Sequence, residues 1–243
     1  MHSIPRWDNL KIDTVMNILI IGATSGIGNK LWQHYSSKGN KVAVIARRKE
    51  ELEKMAQSAP GNTICKACDV ADIESFSTAF LNIIEQLKPL DLIIVCAGIG
   101  ELNPSLDIET ELSTVRVNVL GWTNCVDMAY NYFTDQGKGH LVTFTSIGGL
   151  QPTPIAPSYS SSKAFQINYT KSLQQKSRKS GIVVTEIRPG LINTRMAKGE
   201  GLFWVMPLDK AANAAIKTIE RRKKLAIISK RWRVINFLLK HFM

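Results

Sequence analysis

The sequence predicts an α/β fold, a doubly wound parallel sheet of about seven strands with helices on both of its faces. Three observations carry this expectation. Short runs of continuous aliphatic residues alternate six or seven times with amphipathic segments, as in strands buried on both sides and crossed over by helices. The first run, residues 18–21, breaks into a turn holding Gly22, Gly26 and Gly28 and continues into a helical segment. Finally, 243 residues with 44% hydrophobic content suffice for one sizeable core, and no linker rich in proline, glycine or serine divides the chain.

The expected strands are residues 17–21, 41–46, 63–68, 92–97, 140–145, 183–187 and 225–228, and the expected helices are 29–37, 73–86, 112–133, 158–177 and 209–220. After the first strand, small residues let backbone N–H groups approach a pyrophosphate closely, and the helix N-terminus adds partial positive charge. Gly22, Thr24, Ser25, Gly26, Ile27 and Gly28 therefore form a candidate dinucleotide-binding turn; a purely structural strand-to-helix turn has the same look. The second strand ends in Ala46-Arg47-Arg48. An acid there would suit the ribose hydroxyls of NAD, whereas a guanidinium suits a 2′-phosphate, so NADP(H) is favoured over NAD(H). The alternative makes Arg47 and Arg48 solvated residues at a helix start. Asp69, closing the third strand, either accepts a hydrogen bond from an adenine amino group or caps the next turn.

Asn118 lies among valines inside the 112–133 pattern, where a polar amide is most simply a satisfied core residue. The strand at 140–145 runs into Ser146, and beyond a loop Tyr159 and Lys163 stand four apart on a helix, so they share a face. An ammonium beside a phenol lowers a pKa that is otherwise about 10, which makes tyrosine an acid/base near neutral pH. Taken singly, such a pair is usually a surface feature and such a serine a turn residue. Their conjunction with the glycine turn points to a reaction site.

With these motifs in hand, residues 17–194 resemble a classical short-chain dehydrogenase/reductase on a Rossmann-type sheet. The family's Gly-x-x-x-Gly-x-Gly stands as Gly22, Gly26 and Gly28, its Asp-Val as Asp69-Val70, and its Tyr-x-x-x-Lys as Tyr159 and Lys163, with Ser146 thirteen positions earlier. Asn118 takes the place of the family's active-site asparagine, and Pro189-Gly190-Leu-Ile192-Asn-Thr194 that of the stretch on the nicotinamide side. Two positions depart from the pattern. Ile21 precedes the glycines where threonine is frequent, and Val95-Cys96-Ala97-Gly98 replaces Asn-Asn-Ala-Gly, removing side-chain hydrogen bonds between neighbouring strands.

The resemblance implies a catalytic set of Asn118, Ser146, Tyr159 and Lys163. Ser146 would bind the substrate oxygen, Tyr159 would deliver or remove its proton, and Lys163 would depress the Tyr159 pKa and hold the nicotinamide ribose. Asn118 would position a water for proton relay from Lys163. The same resemblance adds Val70, Ala97, Gly98, Pro189, Gly190, Ile192 and Thr194 to the cofactor-binding residues, needs no metal, and implies a homodimer or homotetramer joined through the two long helices.

Composition bounds the rest. Cys65 and Cys68 have metal-ligand spacing, but there is no second cysteine pair and the four histidines are scattered singly, so reduced buried thiols are expected. No apolar stretch reaches the ~18 residues of a membrane span, and residues 1–14 carry Arg6, Asp8, Lys11 and Asp13 where a signal peptide would be apolar, so the expected location is cytoplasmic. Residues 217–243 hold nine basic side chains against Glu220 alone, a local excess of +8 out of a net +11. In the tail, Trp232, Ile235, Leu238, Leu239 and Phe242 share a helical face flanked by Lys230, Arg231, Arg233 and Lys240. Such a face lies on the anionic inner surface of a membrane or packs against the protein itself or a sister subunit; nucleic acid is not expected.

Substrate specificity is expected from the proline-stiffened 151–157 stretch and from 196–206 with its apolar cluster, which cover an apolar ligand or else pack on the domain or another subunit. The expected organisation is an N-terminal extension at 1–15, the sheet domain at 16–228 and the basic tail at 229–243. The expected activity is hydride transfer between NADP(H) and a carbonyl or alcohol carbon of an apolar substrate. A non-catalytic dinucleotide-binding regulatory or membrane-surface protein on the same fold is the alternative.

Overall fold

The computed structural model describes residues 15–194 and 204–228. The N-terminal extension, most of the 196–206 cluster and the basic tail lie outside the described residues. Seven strands, β1 (Asn17–Ile21), β2 (Lys41–Ala46), β3 (Thr63–Ala67), β4 (Leu92–Val95), β5 (Lys138–Phe144), β6 (Gly181–Pro189) and β7 (Leu225–Ile228), form one sheet in the order β3-β2-β1-β4-β5-β6-β7. Every pairing is parallel. The expected fold class is the observed one.

Strand alternation explains why aliphatic residues run without a break. Ile18 and Ile20 point to one face, where α1 (Gly26–Ser37), α2 (Lys49–Ser58) and α7 (Leu208–Glu220) cover them. Leu19 and Ile21 point to the other, under α3 (Ile73–Leu87) and α5 (Trp122–Gln136). The remaining helices are α4 (Ile108–Val115) and α6 (Pro157–Lys176), the latter begun by a proline at its first turn, where a missing N–H costs nothing.

Two differences from the expected elements have identifiable causes. α2 was not among the expected helices, because only Leu52 and Met55 are buried along it; Lys49–Glu53 and Lys54–Glu51 pairs at 4.0 and 3.5 Å line its outer face. The single helix expected over 112–133 is instead α4, a π-helical turn over Arg116–Gly121, and α5. In that turn, which holds Asn118, the Trp122 N–H reaches back five residues to the Val117 carbonyl.

Because the strands are all parallel, their carboxyl ends emerge on one edge, and the chain reverses its direction of travel across the sheet between β1 and β4. That switch point leaves a crevice between diverging loops. Gly22, Arg47, Asp69, Gly98, Ser146 and Gly190 all follow strand ends on this edge.

The sheet also buries His140, whose Nε2 lies 2.8 Å from Thr185 Oγ1 between β5 and β6. Burial, helped by the Arg222 charge, pushes its pKa from 6.5 down to about 3. Below about pH 6.5 the unfolded chain takes up a proton that the folded chain refuses, so stability falls with pH by up to about 1.4 kcal/mol per unit. Urea midpoints should therefore drop between about pH 7 and pH 5 by the equivalent of ~2 kcal/mol, and His140→Gln should remove most of that slope. Equal slopes in the two proteins would exclude this histidine as the cause.

Candidate active site

The glycine turn is shaped by close approach. Gly22 has φ +91°, and a Cβ there would lie 2.6 Å from the Ala97 backbone nitrogen; a Cβ on Gly28 would lie 2.3 Å from the Gly22 carbonyl oxygen. Neither position admits a side chain, so β1, β4 and the start of α1 are drawn together around bare backbone. Ser25 caps α1 without a side-chain hydrogen bond, and the first helical turn carries no acid. The helix dipole and its leading N–H groups thus remain directed at the turn. Thr194, from the stretch after β6, closes over the same place, its Cγ2 within 3.7 Å of where a Gly26 Cβ would sit.

Both arginines lie at this turn. Arg48 donates from Nε and Nη2 to Thr24 Oγ1 at 3.1 and 2.9 Å, laying its guanidinium against the turn while its backbone caps α2. Arg47 stays half exposed with Nη1 3.6 Å from Asp69 Oδ2. The other Asp69 oxygen accepts from Ala71 N–H at 3.0 Å, so this carboxylate caps its own turn and faces Arg47. Val70 is buried beneath the π turn, whose Gly121 would carry a Cβ only 2.4 Å from the Val70 oxygen.

Ser146, Tyr159 and Lys163 come together at the ends of β4 and β5. Ser146 Oγ accepts from Gly148 N–H at 3.0 Å, which leaves the hydroxyl hydrogen to donate elsewhere. Gly148 stands between serine and tyrosine, since a Cβ on it would lie 3.4 Å from Ser146 Oγ and 3.1 Å from the Tyr159 ring. Gly149 admits the α6 backbone, a Cβ there falling 2.4 Å from the Lys163 carbonyl carbon. Lys163 Nζ lies over the Tyr159 ring, 5.9 Å from its centroid, and beside Gly98.

The electrostatics differ from the expectation that Lys163 depresses the Tyr159 pKa. Burial pushes the phenol above its ordinary value, the hydrogen bond with Ser146 pulling the other way. The ammonium addresses the ring face, and burial lowers its own pKa to about 8, with the Cys96 side chain opposing. Desolvation dominates both groups.

Around this cluster stands a frame of buried polar groups. Asn118 is fully buried; its Oδ1 accepts from Ile99 N–H at 2.9 Å, and its Nδ2 donates to the Ile99 carbonyl at 2.8 Å and to Ser162 Oγ at 3.1 Å. The amide thereby clamps the loop after β4 onto α6. Thr145, next to Ser146, donates to Glu186 Oε1 at 2.7 Å, and that carboxylate is paired with the equally buried Arg188 at 2.7 Å. Gln166, Ser162, Gly148, Gly149, Glu186 and Arg188 were not singled out in the sequence. The glycine pair after Ser146 and the three-residue spacing from Lys163 to Gln166 were the signals available.

Apolar side chains surround the mouth. Ile155 and Leu102 are about half exposed on loops tied together by the Asn103 N–H to Ile155 carbonyl bond of 2.7 Å. Glu111 fastens the same pair of loops, accepting from Asn103 Nδ2 at 2.7 Å and from Ser158 N–H at 3.0 Å. Past β6, Pro189 and Gly190 lead into Ile192, which bridges to Met206 beside the exposed Trp204 and Val205. Among the described residues no group of three or more His, Cys, Asp or Glu could hold a metal ion, and no helix is long and apolar enough to cross a membrane.

Residues 16–202 match the family model described as short chain dehydrogenase. An uncharacterized oxidoreductase of Mycobacterium tuberculosis is 29% identical over 224 residues, covering 88% of each chain. An inactive hydroxysteroid dehydrogenase-like protein 1 of Homo sapiens is 27% identical over 241 residues, covering 92% of this chain and 72% of that protein. The structure of a short-chain dehydrogenase from Sphingobium yanoikuyae in complex with NADPH superposes with a TM-score of 0.80 at 21% identity, covering 94% of this chain and 95% of that one.

Proposed function

The chain belongs to the short chain dehydrogenase family, and from that premise we propose that it is an NADP(H)-dependent oxidoreductase moving hydride between the nicotinamide and a carbonyl or alcohol carbon of an apolar compound, with Tyr159 as the acid/base. The observation that carries this reading is the meeting of a serine hydroxyl, a half-buried phenol and a buried ammonium beside a glycine turn whose Gly22 and Gly28 leave no room for a Cβ. Residues 16–228 are the catalytic domain in this reading.

The chain's residues fit a dinucleotide. Gly22, Gly26, Gly28 and the first turn of α1 would hold its pyrophosphate, Arg47 and Arg48 its 2′-phosphate, and Asp69 and Val70 its adenine end. Ala97, Gly98, Tyr159 and Lys163 would face the nicotinamide ribose, with Pro189, Gly190, Ile192 and Thr194 on the ring's other side. Bound there, the cofactor supplies a hydride donor or acceptor. The protein supplies proton handling and orientation. The Ser146 hydroxyl, hydrogen-bonded to the Tyr159 oxygen in the ligand-free chain, would turn its hydrogen to the substrate oxygen, and the Tyr159 phenol, kept protonated by burial, would give that oxygen its proton. Lys163 faces the phenolate so formed and stabilises it.

The exposed Leu102, Ile155, Trp204 and Val205 on the loops of this edge support an apolar substrate. Exposed Leu112, Leu120 and Phe165 on α4, the π turn and α6 support a homo-oligomer joined through those helices. A panel of aldehydes, ketones and alcohols followed by NADPH absorbance tests the reading, and NADPH binding without turnover on any of them would establish the non-catalytic alternative.

The cofactor preference has its own test. Charge-assisted bonds to a phosphate contribute about 1.5–3 kcal/mol each, so Arg48→Ala should weaken NADPH binding on the order of tenfold to a hundredfold while NADH binding changes little. Titration of both cofactors by nucleotide fluorescence gives the two constants. Equal losses would mean that the guanidinium supports only the Thr24 turn.

A further inference from the structure

One buried side chain at Lys163 has no part in the scheme above. Lys163 Nζ donates to Gln166 Oε1 at 2.8 Å, and Gln166 Nε2 donates in turn to the main-chain carbonyl of Asn118 at 2.8 Å. Gln166 is 0% exposed and Lys163 4%. The Asn118 side chain takes no part, since its polar atoms are engaged by Ile99 and Ser162. A carboxamide thus bridges the ammonium to the main chain of Asn118, the residue expected to position a relay water for it.

Water and carboxamide differ in what they pass on. A water accepts a proton from one neighbour and releases another to the next. A carboxamide accepts a hydrogen bond at oxygen and donates one at nitrogen, and at neutral pH it passes a proton through neither. We propose that Gln166 is a positioning residue that bridges Lys163 to the Asn118 carbonyl in place of a water, aiming the ammonium at the cleft and closing its protein side to proton transfer. The proton that Tyr159 gives up is then replaced from the cleft, where the other two Nζ hydrogens of Lys163 remain. This rests on Tyr159 and Lys163 acting as proposed above.

Two substitutions separate bridging from packing. Gln166→Met keeps the volume but neither accepts nor donates, and it leaves no room for water. Gln166→Ala opens a space flanked by the Lys163 ammonium and the Asn118 carbonyl, polar and large enough for a water to restore the link. The expected result is a loss of kcat of at least about tenfold in Gln166→Met and less than about threefold in Gln166→Ala. A residue that merely packs gives the reverse order, because a size-matched apolar replacement is tolerated and a cavity is not.

A second readout needs no cofactor. The Lys163 ammonium is titrated in the ligand-free chain by NMR of lysine labelled at its ε-carbon, the signal being assigned by its loss in Lys163→Met. Gln166→Glu sets a carboxylate on the ammonium 2.8 Å away and should move that titration up from about 8 by about one pH unit or more. A loss of kcat in Gln166→Ala as large as that in Gln166→Met, or an unmoved Lys163 titration in Gln166→Glu, would overturn the bridge. Full turnover in Tyr159→Phe itself would instead sink the acid/base reading, whatever order the Gln166 variants take.

Discussion

Replacing Tyr159 with phenylalanine is expected to lower kcat about a thousandfold, within the range for losing a positioned general acid, while the fold persists and NADPH binding weakens far less than kcat falls. The phenol oxygen is the one group in the cluster able to give a proton to a substrate oxygen at neutral pH. Ser146 is a far weaker acid, and the Lys163 ammonium lies over the Tyr159 ring, where it serves the phenol. The ring of the variant fills the same space beside Gly148, so the loss is chemical and not a matter of packing. The wild-type rate of carbonyl reduction should fall as pH rises through about 8, where Lys163 loses its proton and the forming phenolate loses its neighbouring charge. Stopped-flow NADPH oxidation with a responsive substrate, paired with NADPH fluorescence for binding, separates the chemical step from affinity. Persistent turnover with phenylalanine at this position would remove Tyr159 from the mechanism.

Gly22→Ala should cost the protein about 3 kcal/mol or more and abolish nucleotide binding. Two effects combine at this glycine. Its φ of +91° is one that L side chains rarely adopt, and the added methyl would sit 2.6 Å from the nitrogen and 2.8 Å from the Cα of Ala97, both backbone atoms that cannot rotate away. Relief requires β1 and β4 to separate at the point where the turn must hold its shape. Gly61→Ala is the matched control, since Gly61 has φ +79° with nothing within 4 Å of its would-be Cβ. That variant should lose only about 1 kcal/mol. Thermal unfolding of the two should differ by roughly 4–8 °C, and a Gly22→Ala protein as stable as Gly61→Ala would show that the β1–β4 contact is slack.

The elements most legible in the sequence were those with an unbroken aliphatic run. β1 and β2 have the expected limits, because aliphatic residues covered on both faces leave no ambiguity about where the strand lies; β7, at the sheet edge and only partly buried, also has its expected limits, since its aliphatic run is bounded by the basic residues 221–224. α2 escaped notice because two buried side chains make too thin a stripe to stand out against its charges. The π turn around Asn118 was likewise hidden: the apolar spacing runs on through it, and a single inserted residue shows only in the backbone bonds. Of the site, Ser146, Tyr159 and Lys163 could be read from their spacing. The Gln166 bridge and the Thr145–Glu186–Arg188 network could not, since a buried glutamine or ion pair looks in sequence like any other polar residue.

Residue order by itself determined the parallel sheet, the glycine turn and the pairing of Tyr159 with Lys163 on one helix, because each depends on local periodicity or on backbone space that only glycine leaves. Only the tertiary structure decided how the phenol titrates, what holds the ammonium and which atoms of Asn118 are engaged. Those outcomes depend on distances between strands and helices far apart in the chain and on the water that packing excludes. Desolvation belongs to the assembled crevice, and there it outweighs the neighbouring charge that spacing alone had brought forward.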